Sequence, residues 1–240
     1  MSIAEKLTTI AENEQKVYNA GYNKGKAEGG DTDGGIETFF DSYLRDTNGY
    51  CDYMFAGKGW KNKIFKPTID IKPVRAQNMF SLTGLTGDLA ALCEQQGITI
   101  DFSNCKLFNG FSSNASGITR FGAIDISKAT DTISFIYNTS LITIDKLIVS
   151  ETTKYNTYAF EGCKKLTNLI VEGVIAQNNF NVQWCNNLTF ESLRSIINCL
   201  QDKSEDTSGT IWKVTIGGTN YAKLESEDLE KIEEKGWVFV

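Results

Sequence analysis

The sequence contains no histidine, only two prolines and no long apolar run among its 240 residues. Without histidine, the chain has no Ser-His or Cys-His catalytic pair and no imidazole ligand for a metal ion. Two prolines exclude a proline-rich disordered chain, and no apolar run approaches the roughly 18 residues of a membrane span. The sequence therefore predicts a folded chain without membrane insertion.

An excess of basic residues is also missing. Lysine and arginine number 24 against 30 aspartates and glutamates, which gives a net charge of −6. This balance argues against a nucleic-acid partner. Polar residues break every apolar stretch of the first 18 residues, so no secretory signal is indicated. We therefore expect synthesis and assembly in a cytoplasm.

Paired cysteine motifs are absent as well. No C-x-x-C spacing occurs, which disfavours zinc and redox sites. Thiols normally stay reduced in a cytoplasm, and free cysteine is among the most buried residue types. We expect buried apolar thiols at all six positions, which are Cys51, Cys93, Cys105, Cys163, Cys185 and Cys199.

Catalytic motifs are missing too. The glycine-rich nucleotide-binding patterns do not occur, and carboxylates such as Asp125 and Asp131 show no distinctive spacing. A glycosidase needs two carboxylates about 5 to 10 Å apart across a cleft. The separation of two acidic residues in the sequence does not indicate such a distance. The sequence predicts no catalytic residue, cofactor or metal site, and hence a protein that is not an enzyme.

The residues that are present divide the chain into segments. Residues 1–28 predict a helix whose apolar seam has steps of 4, 3, 7 and 3 residues, as in a coiled coil. One interpretation is an amphipathic helix that packs on its own domain. The other is a short coil that forms a homotrimer or docks on another protein. The seam residues for oligomerisation or docking are Ile3, Leu7, Ile10, Val17 and Ala20.

A linker and an aromatic segment follow. Residues 29–35 contain four glycines and no apolar residue, which predicts a flexible linker. Residues 36–75 form an aromatic-rich connector, and such a cluster is either a small core or a platform for sugars. The aromatic residues behind this interpretation are Tyr50, Tyr53, Phe55, Trp60 and Phe65.

An apolar pattern recurs in the second half of the chain. A small or polar residue is followed after two spacers by leucine or isoleucine, and after two more by a large apolar residue. The copies begin at Ala115, Asn138, Cys163 and, more weakly, Cys185, in steps of 23, 25 and 22 residues. This period is typical of leucine-rich repeats, whose stacked coils bury a common apolar ladder. The expected ladder residues are Ile118, Leu141, Leu166 and Leu188.

The expected fold class is therefore α+β. It is a leucine-rich-repeat solenoid of short strands and irregular or helical returns, with an N-terminal helix and a C-terminal helix–strand cap. We assign the repeat region to residues 76–216 and the cap to 217–240. The flanking elements expected are a helix over 86–96, a strand over 98–102, a helix over 191–201, a strand over 211–216, a helix with Ser226 as its N-cap, and a final strand over 237–240.

Two aromatic residues are candidates for ligand contact. Tyr137 and Trp184 lie near the turn positions of the repeats, where an exposed ring could stack on a sugar or contact a protein. The alternative is that both rings pack between successive coils.

Several segments resemble known proteins. The stretch AFEGCKKLTNLIV at 159–171 resembles leucine-rich repeats of the BspA type. Three others, IAENEQKVYNAGYNKGK at 10–26, FAGKGWKNKIFKP at 55–67 and AKLESEDLEKIEEKGWVF at 222–239, are similar to phage minor structural and tail-associated proteins of Firmicutes phages. The first motif is widely shared, whereas the other three indicate a narrower group.

These resemblances imply a non-enzymatic structural protein of a phage virion, in the tail, baseplate or fibre. The N-terminal helix would contact other virion proteins, and the repeat domain would recognise a host surface protein or glycan. The expected location is the virion, assembled in the host cytoplasm. The alternative is a bacterial leucine-rich repeat adhesin or cytosolic binding scaffold, located at the bacterial surface or in the cytoplasm.

Overall fold

The computed structural model describes residues 49–57, 70–156 and 158–240. Within them lie eight strands and four helices. The strands are β1 (Gly87–Asp88), β2 (Ser112–Ser113), β3 (Ile118–Asp125), β4 (Ile136–Tyr137), β5 (Thr143–Val149), β6 (Asn168–Gly173), β7 (Trp212–Val214) and β8 (Trp237–Phe239). The helices are α1 (Leu89–Gln96), α2 (Phe190–Cys199), α3 (Gly218–Tyr221) and α4 (Ser226–Glu234).

The main sheet has four parallel strands in the order β1-β3-β5-β6, and β2-β4 and β7-β8 form two further parallel pairs. Helices are interspersed among the strands: α1 follows β1, α2 lies between β6 and β7, and α3 and α4 lie between β7 and β8. Parallel pairing with interspersed helices defines an α/β arrangement, whereas α+β folds segregate their helices. The predicted α+β leucine-rich-repeat solenoid is therefore wrong.

The apolar period corresponds to the register of the main sheet. Phe121 of β3 pairs with Ile144 of β5, and Ile144 pairs with Leu169 of β6. Residues 23 and 25 positions apart thus become neighbours, because the connection between two parallel strands brings the chain back to the same end of the sheet before the next strand begins. The four residues expected to form a ladder are all buried: Ile118, Leu141, Leu166 and Leu188.

A row of phenylalanine rings runs through the core beside the sheet. Successive ring centroids lie 5.0 to 6.3 Å apart, close to the separations at which aromatic pairs attract. Each ring comes from a different turn of the chain, so the row links segments far apart in sequence. The rings belong to Phe55, Phe80, Phe111, Phe135, Phe160 and Phe180.

Buried polar side chains bond to the backbone of the preceding turn. The Asn138 amide donates to the Ile118 carbonyl at 3.0 Å, and the Cys163 thiol donates to the Ile136 carbonyl at 3.4 Å. Such bonds satisfy carbonyl groups that water cannot reach. They explain why small polar residues occupy the first position of the repeating pattern.

The C-terminal elements agree closely with the sequence patterns. Helices α2 and α4 and strands β7 and β8 lie within one or two residues of the expected ranges. The N-cap of α4 is Glu225 rather than Ser226, because Glu225 and Asp228 exchange side-chain bonds with each other's backbone N–H groups. Arg194 of α2 holds this helix end by ion pairs to Asp228 at 2.8 Å and to Glu225 at 3.0 Å.

The region before the main sheet agrees only in part. Helix α1 ends at Gly97 as expected, and Asp88 caps its start by accepting from the Ala91 N–H. The expected strand over 98–102 is wrong, since only an isolated bridge joins Ile100 to Ile71. The expected N-terminal helix over 1–28, with Ile3, Leu7, Ile10, Val17 and Ala20, lies outside the described residues. So do the linker 29–35 and much of the connector.

Candidate functional site

An exposed group of aromatic rings lies where successive turns of the chain adjoin. The rings of Tyr158 and Trp184 are stacked, with centroids 5.9 Å apart and planes inclined by 24°. Tyr158 is 53% exposed, and Trp184 is half-buried. Tyr137 lies on the turn before Tyr158 and is also half-buried. We call Tyr137, Tyr158 and Trp184 the aromatic surface.

A close contact with glycine connects Tyr137 to this group. Gly162 has a φ of +84°, and a Cβ at this position would lie 3.0 Å from ring carbons of Tyr137. The Tyr137 ring therefore lies against the backbone of the turn that also carries Tyr158. Glycine is required here both by the left-handed backbone and by the approach of the ring.

Short polar turns fix the other two rings. The Asn156 side chain accepts from the Tyr158 N–H at 3.1 Å, and the Asn181 side chain accepts from the Gln183 N–H at 2.9 Å, just before Trp184. Next to Trp184, the buried Cys185 thiol donates to the Phe160 carbonyl at 3.9 Å. These bonds hold the backbone that carries the rings, so the exposed rings need little ordering when a ligand binds.

Tyr137 and Trp184, the two sequence candidates, lie on opposite sides of one turn, residues 158–163. Sequence reasoning missed Tyr158, which completes the stacked pair, and Gly162, which lets Tyr137 approach. The sequence does contain a signal for Tyr158. This residue stands directly before the AF-x-x-C motif, in the turn that the repeating pattern predicts. Spacing alone does not indicate which turn residues expose their rings.

One group of charged side chains consists of an arginine bound between two aspartates. Arg120 donates to Asp145 at 2.7 and 2.8 Å and to Asp88 at 3.0 Å. Burial opposes ionisation of Asp88 most strongly, but the Ala91 N–H and Arg120 together lower the pKa of this carboxyl. One guanidinium thus binds both carboxylates, an arrangement that suits structure better than acid–base chemistry.

Five of the cysteine thiols have raised pKa values, and burial is the main cause for four of them. Burial raises the pKa of Cys93 to about 11 and that of Cys105 to about 12, and it raises the pKa of Cys51 and Cys199 as well. The Cys185 pKa is raised by its neighbour Cys163 and by burial. Because the thiolate is the nucleophile, these groups are weak nucleophiles at neutral pH.

The thiols should therefore react slowly with alkylating agents. At pH 8 we expect the native chain to react with iodoacetamide at least about tenfold more slowly than the chain in denaturant. Four of the thiols are buried, and the half-buried Cys93 and Cys199 have raised pKa values. The measurement is the time course of labelling by mass spectrometry. Any thiol that labels faster in the native chain than in denaturant would be an activated nucleophile and would contradict this assignment.

Among residues 49–57, 70–156 and 158–240, no group of three or more acidic or cysteine side chains could hold a metal ion. Within the same ranges, no helix is long and apolar enough to cross a membrane. The aromatic surface is therefore the strongest candidate site that this part of the chain offers.

The comparison with known proteins found no similar protein. No protein-family model, curated protein or solved structure matches this chain.

Proposed function

We propose that this chain is a non-enzymatic recognition component of a phage virion, and that its aromatic surface binds a glycan of the host surface. The observation that carries the proposal is the stacking of the exposed Tyr158 on the half-buried Trp184, with Tyr137 on the adjoining turn of the chain. Aromatic faces present an apolar, weakly negative surface on which the C–H groups of a sugar ring can stack. Exposed apolar groups of this kind mark interaction sites.

Two features support recognition rather than catalysis. The pKa values of Cys93 and Cys105 are raised by burial, and the Asp88 and Asp145 carboxylates are both bound by Arg120. The segments that carry Tyr158 and Trp184 are fixed by side-chain bonds to the backbone. A rigid platform of rings serves binding without needing a nucleophile or a proton donor.

The virion assignment rests on the segments 10–26, 55–67 and 222–239, which resemble phage structural and tail-associated proteins. In this proposal residues 1–28 attach the chain to other virion proteins or assemble it as a homotrimer. Mass spectrometry of purified particles of the encoding phage is expected to detect the chain. Absence from the particles would favour the alternative, a bacterial adhesin or cytosolic scaffold.

Loss of either stacked ring should weaken glycan binding. For Trp184→Ala and Tyr158→Ala we expect affinity for glycans extracted from host cell walls to fall about two- to tenfold, as an aromatic contact contributes about 0.5 to 1.5 kcal/mol. Affinity electrophoresis in gels that contain the extracted glycan measures this change. Both variants should keep the wild-type circular dichroism spectrum.

The matched control is Tyr221→Ala, which removes an exposed aromatic ring from the C-terminal region. This variant should bind the glycan as the wild type does. Equal weakening by all three substitutions would contradict the proposed site, and retention of full affinity by Trp184→Ala would do the same.

A further inference from the structure

Strand β8 has one edge on which no strand pairs among the described residues. On its inner side it pairs with β7 in parallel register, and the Val240 N–H donates to the Val214 carbonyl at 3.2 Å. Backbone groups alternate in direction along a strand, so the N–H and carbonyl of Phe239 point to the outer side. Within the described ranges no strand pairs with this outer edge. An open edge of this kind is a template for another strand.

An apolar groove follows the same strand. It has a volume of about 500 Å³ and is bordered by Tyr221 of α3 and Leu229 of α4. Val238 and Val240 lie along it and are 44% and 61% exposed. A second strand that covered these two exposed aliphatic side chains would remove their apolar surface from water, which would favour binding.

The rim of the groove is acidic. Glu233 of α4 lines it, and among the described residues no lysine or arginine forms an ion pair with this carboxylate. The nearby lysines are engaged elsewhere: Lys231 donates to Asn198, and Lys235 donates to the carbonyls of Ile197, Asn198 and Leu200. Both lysines keep their positive charge, but neither lines the groove, and Glu233 is the one charged side chain among its described lining residues. This carboxylate favours a basic occupant.

We propose that the outer edge of β8 and this groove bind an extended segment of a partner protein, which adds to β8 as a further strand. Its main chain would bond to the free groups of Phe239, and its apolar side chains would cover Val238 and Val240. A lysine or arginine beside them would pair with Glu233. A second copy of this chain fits less well, because its own Glu233 would bring a like charge to the rim.

Two synthetic peptides test this docking site. Both alternate valine with a charged residue over eight positions, one with lysine and one with glutamate. Fluorescence polarisation with the full-length chain should show binding of the lysine peptide and about tenfold weaker binding, or none, of the glutamate peptide. Val238→Lys should abolish binding of the lysine peptide, because it places a like charge on the exposed face of the edge strand.

Two charge reversals on one helix sharpen the test. Glu233→Lys should reverse the preference toward the glutamate peptide, whereas Glu227→Lys, exposed on α4 but away from the groove, should change affinity by less than about twofold. Equal binding of both peptides, or no binding of the lysine peptide at millimolar concentration, would overturn the proposal. Light scattering that shows a dimer dissociated by Val238→Lys would also overturn it, in favour of a second copy.

Discussion

Replacing Leu166 by aspartate is expected to unfold the described part of the chain. Leu166 is fully buried, at the position of the repeating pattern shared with Leu141. An aspartate would place an unpaired charge or an unsatisfied carboxyl in an apolar interior, at a cost of about 5 kcal/mol. Because whole domains are stable by only about 5 to 15 kcal/mol, this one change should remove from a third to all of the stability, and it should unfold a chain near the lower end of this range.

Urea unfolding followed by circular dichroism measures the effect. The control is Leu82→Asp, the same substitution at a leucine that is 52% exposed and has a φ of +53°, a conformation that aspartate tolerates. Its free energy of unfolding should stay within about 0.5 kcal/mol of the wild type. A Leu166→Asp chain that unfolds at the wild-type urea concentration would show that this residue does not lie in the core.

Replacing Gly173 by alanine should produce the next largest loss of stability. Gly173 ends β6 with a φ of +104°, and a Cβ at this position would collide with the carbonyl oxygen of Val149. That oxygen belongs to the neighbouring strand β5 and cannot move without disturbing the sheet. Backbone strain and the collision together should lower the free energy of unfolding by about 3 kcal/mol.

The matched substitution is Gly209→Ala. Gly209 also has a positive φ, +77°, but a Cβ there would meet no atom within 4 Å. This variant carries the cost of the backbone conformation alone, about 1 kcal/mol. Equal losses for the two variants in the same urea titration would mean that the close approach of β5 to Gly173 contributes nothing.

The repeating pattern predicted neighbouring strands but not the fold class. Phe121, Ile144 and Leu169 pair across the sheet because a parallel crossover of constant length brings equivalent residues together. The pattern does not specify how the chain returns between strands, and those segments decide whether the fold is α+β or α/β. The expected strand over 98–102 failed for a related reason: alternating apolar residues also suit an extended segment with a single bridge.

The C-terminal helices were easier to predict. Helix α2 places Leu193, Ile196 and Ile197 on one buried face, a spacing that only a helix produces. The start of α4, by contrast, is fixed by local side-chain bonds to the backbone. The capping pair Glu225 and Asp228 of α4 was not anticipated, because serine is the commoner N-cap and Arg194 stabilises the carboxylates from another element.

The candidate site could be predicted only in part. Tyr137 and Trp184 were predicted from their positions near the turns of the repeating pattern, and the structure places Tyr137 in β4 and leaves both residues half-buried. Tyr158 was missed because its stacking on Trp184 depends on how two successive turns adjoin, which residue spacing does not describe. The role of Gly162 is likewise visible only when the Tyr137 ring lies against it.

The proposal that the aromatic surface binds a glycan is tested most directly by the indole N–H signals of the four tryptophans in a ¹H–¹⁵N spectrum. Trp184→Phe assigns the relevant signal. Addition of glycan extracted from host cell walls should shift the Trp184 signal and leave those of Trp212 and Trp237 in place, because these two indoles donate to Asp206 and to the Gln201 carbonyl. An unchanged Trp184 signal at saturating glycan, or equal shifts for all the indoles, would contradict the proposed function.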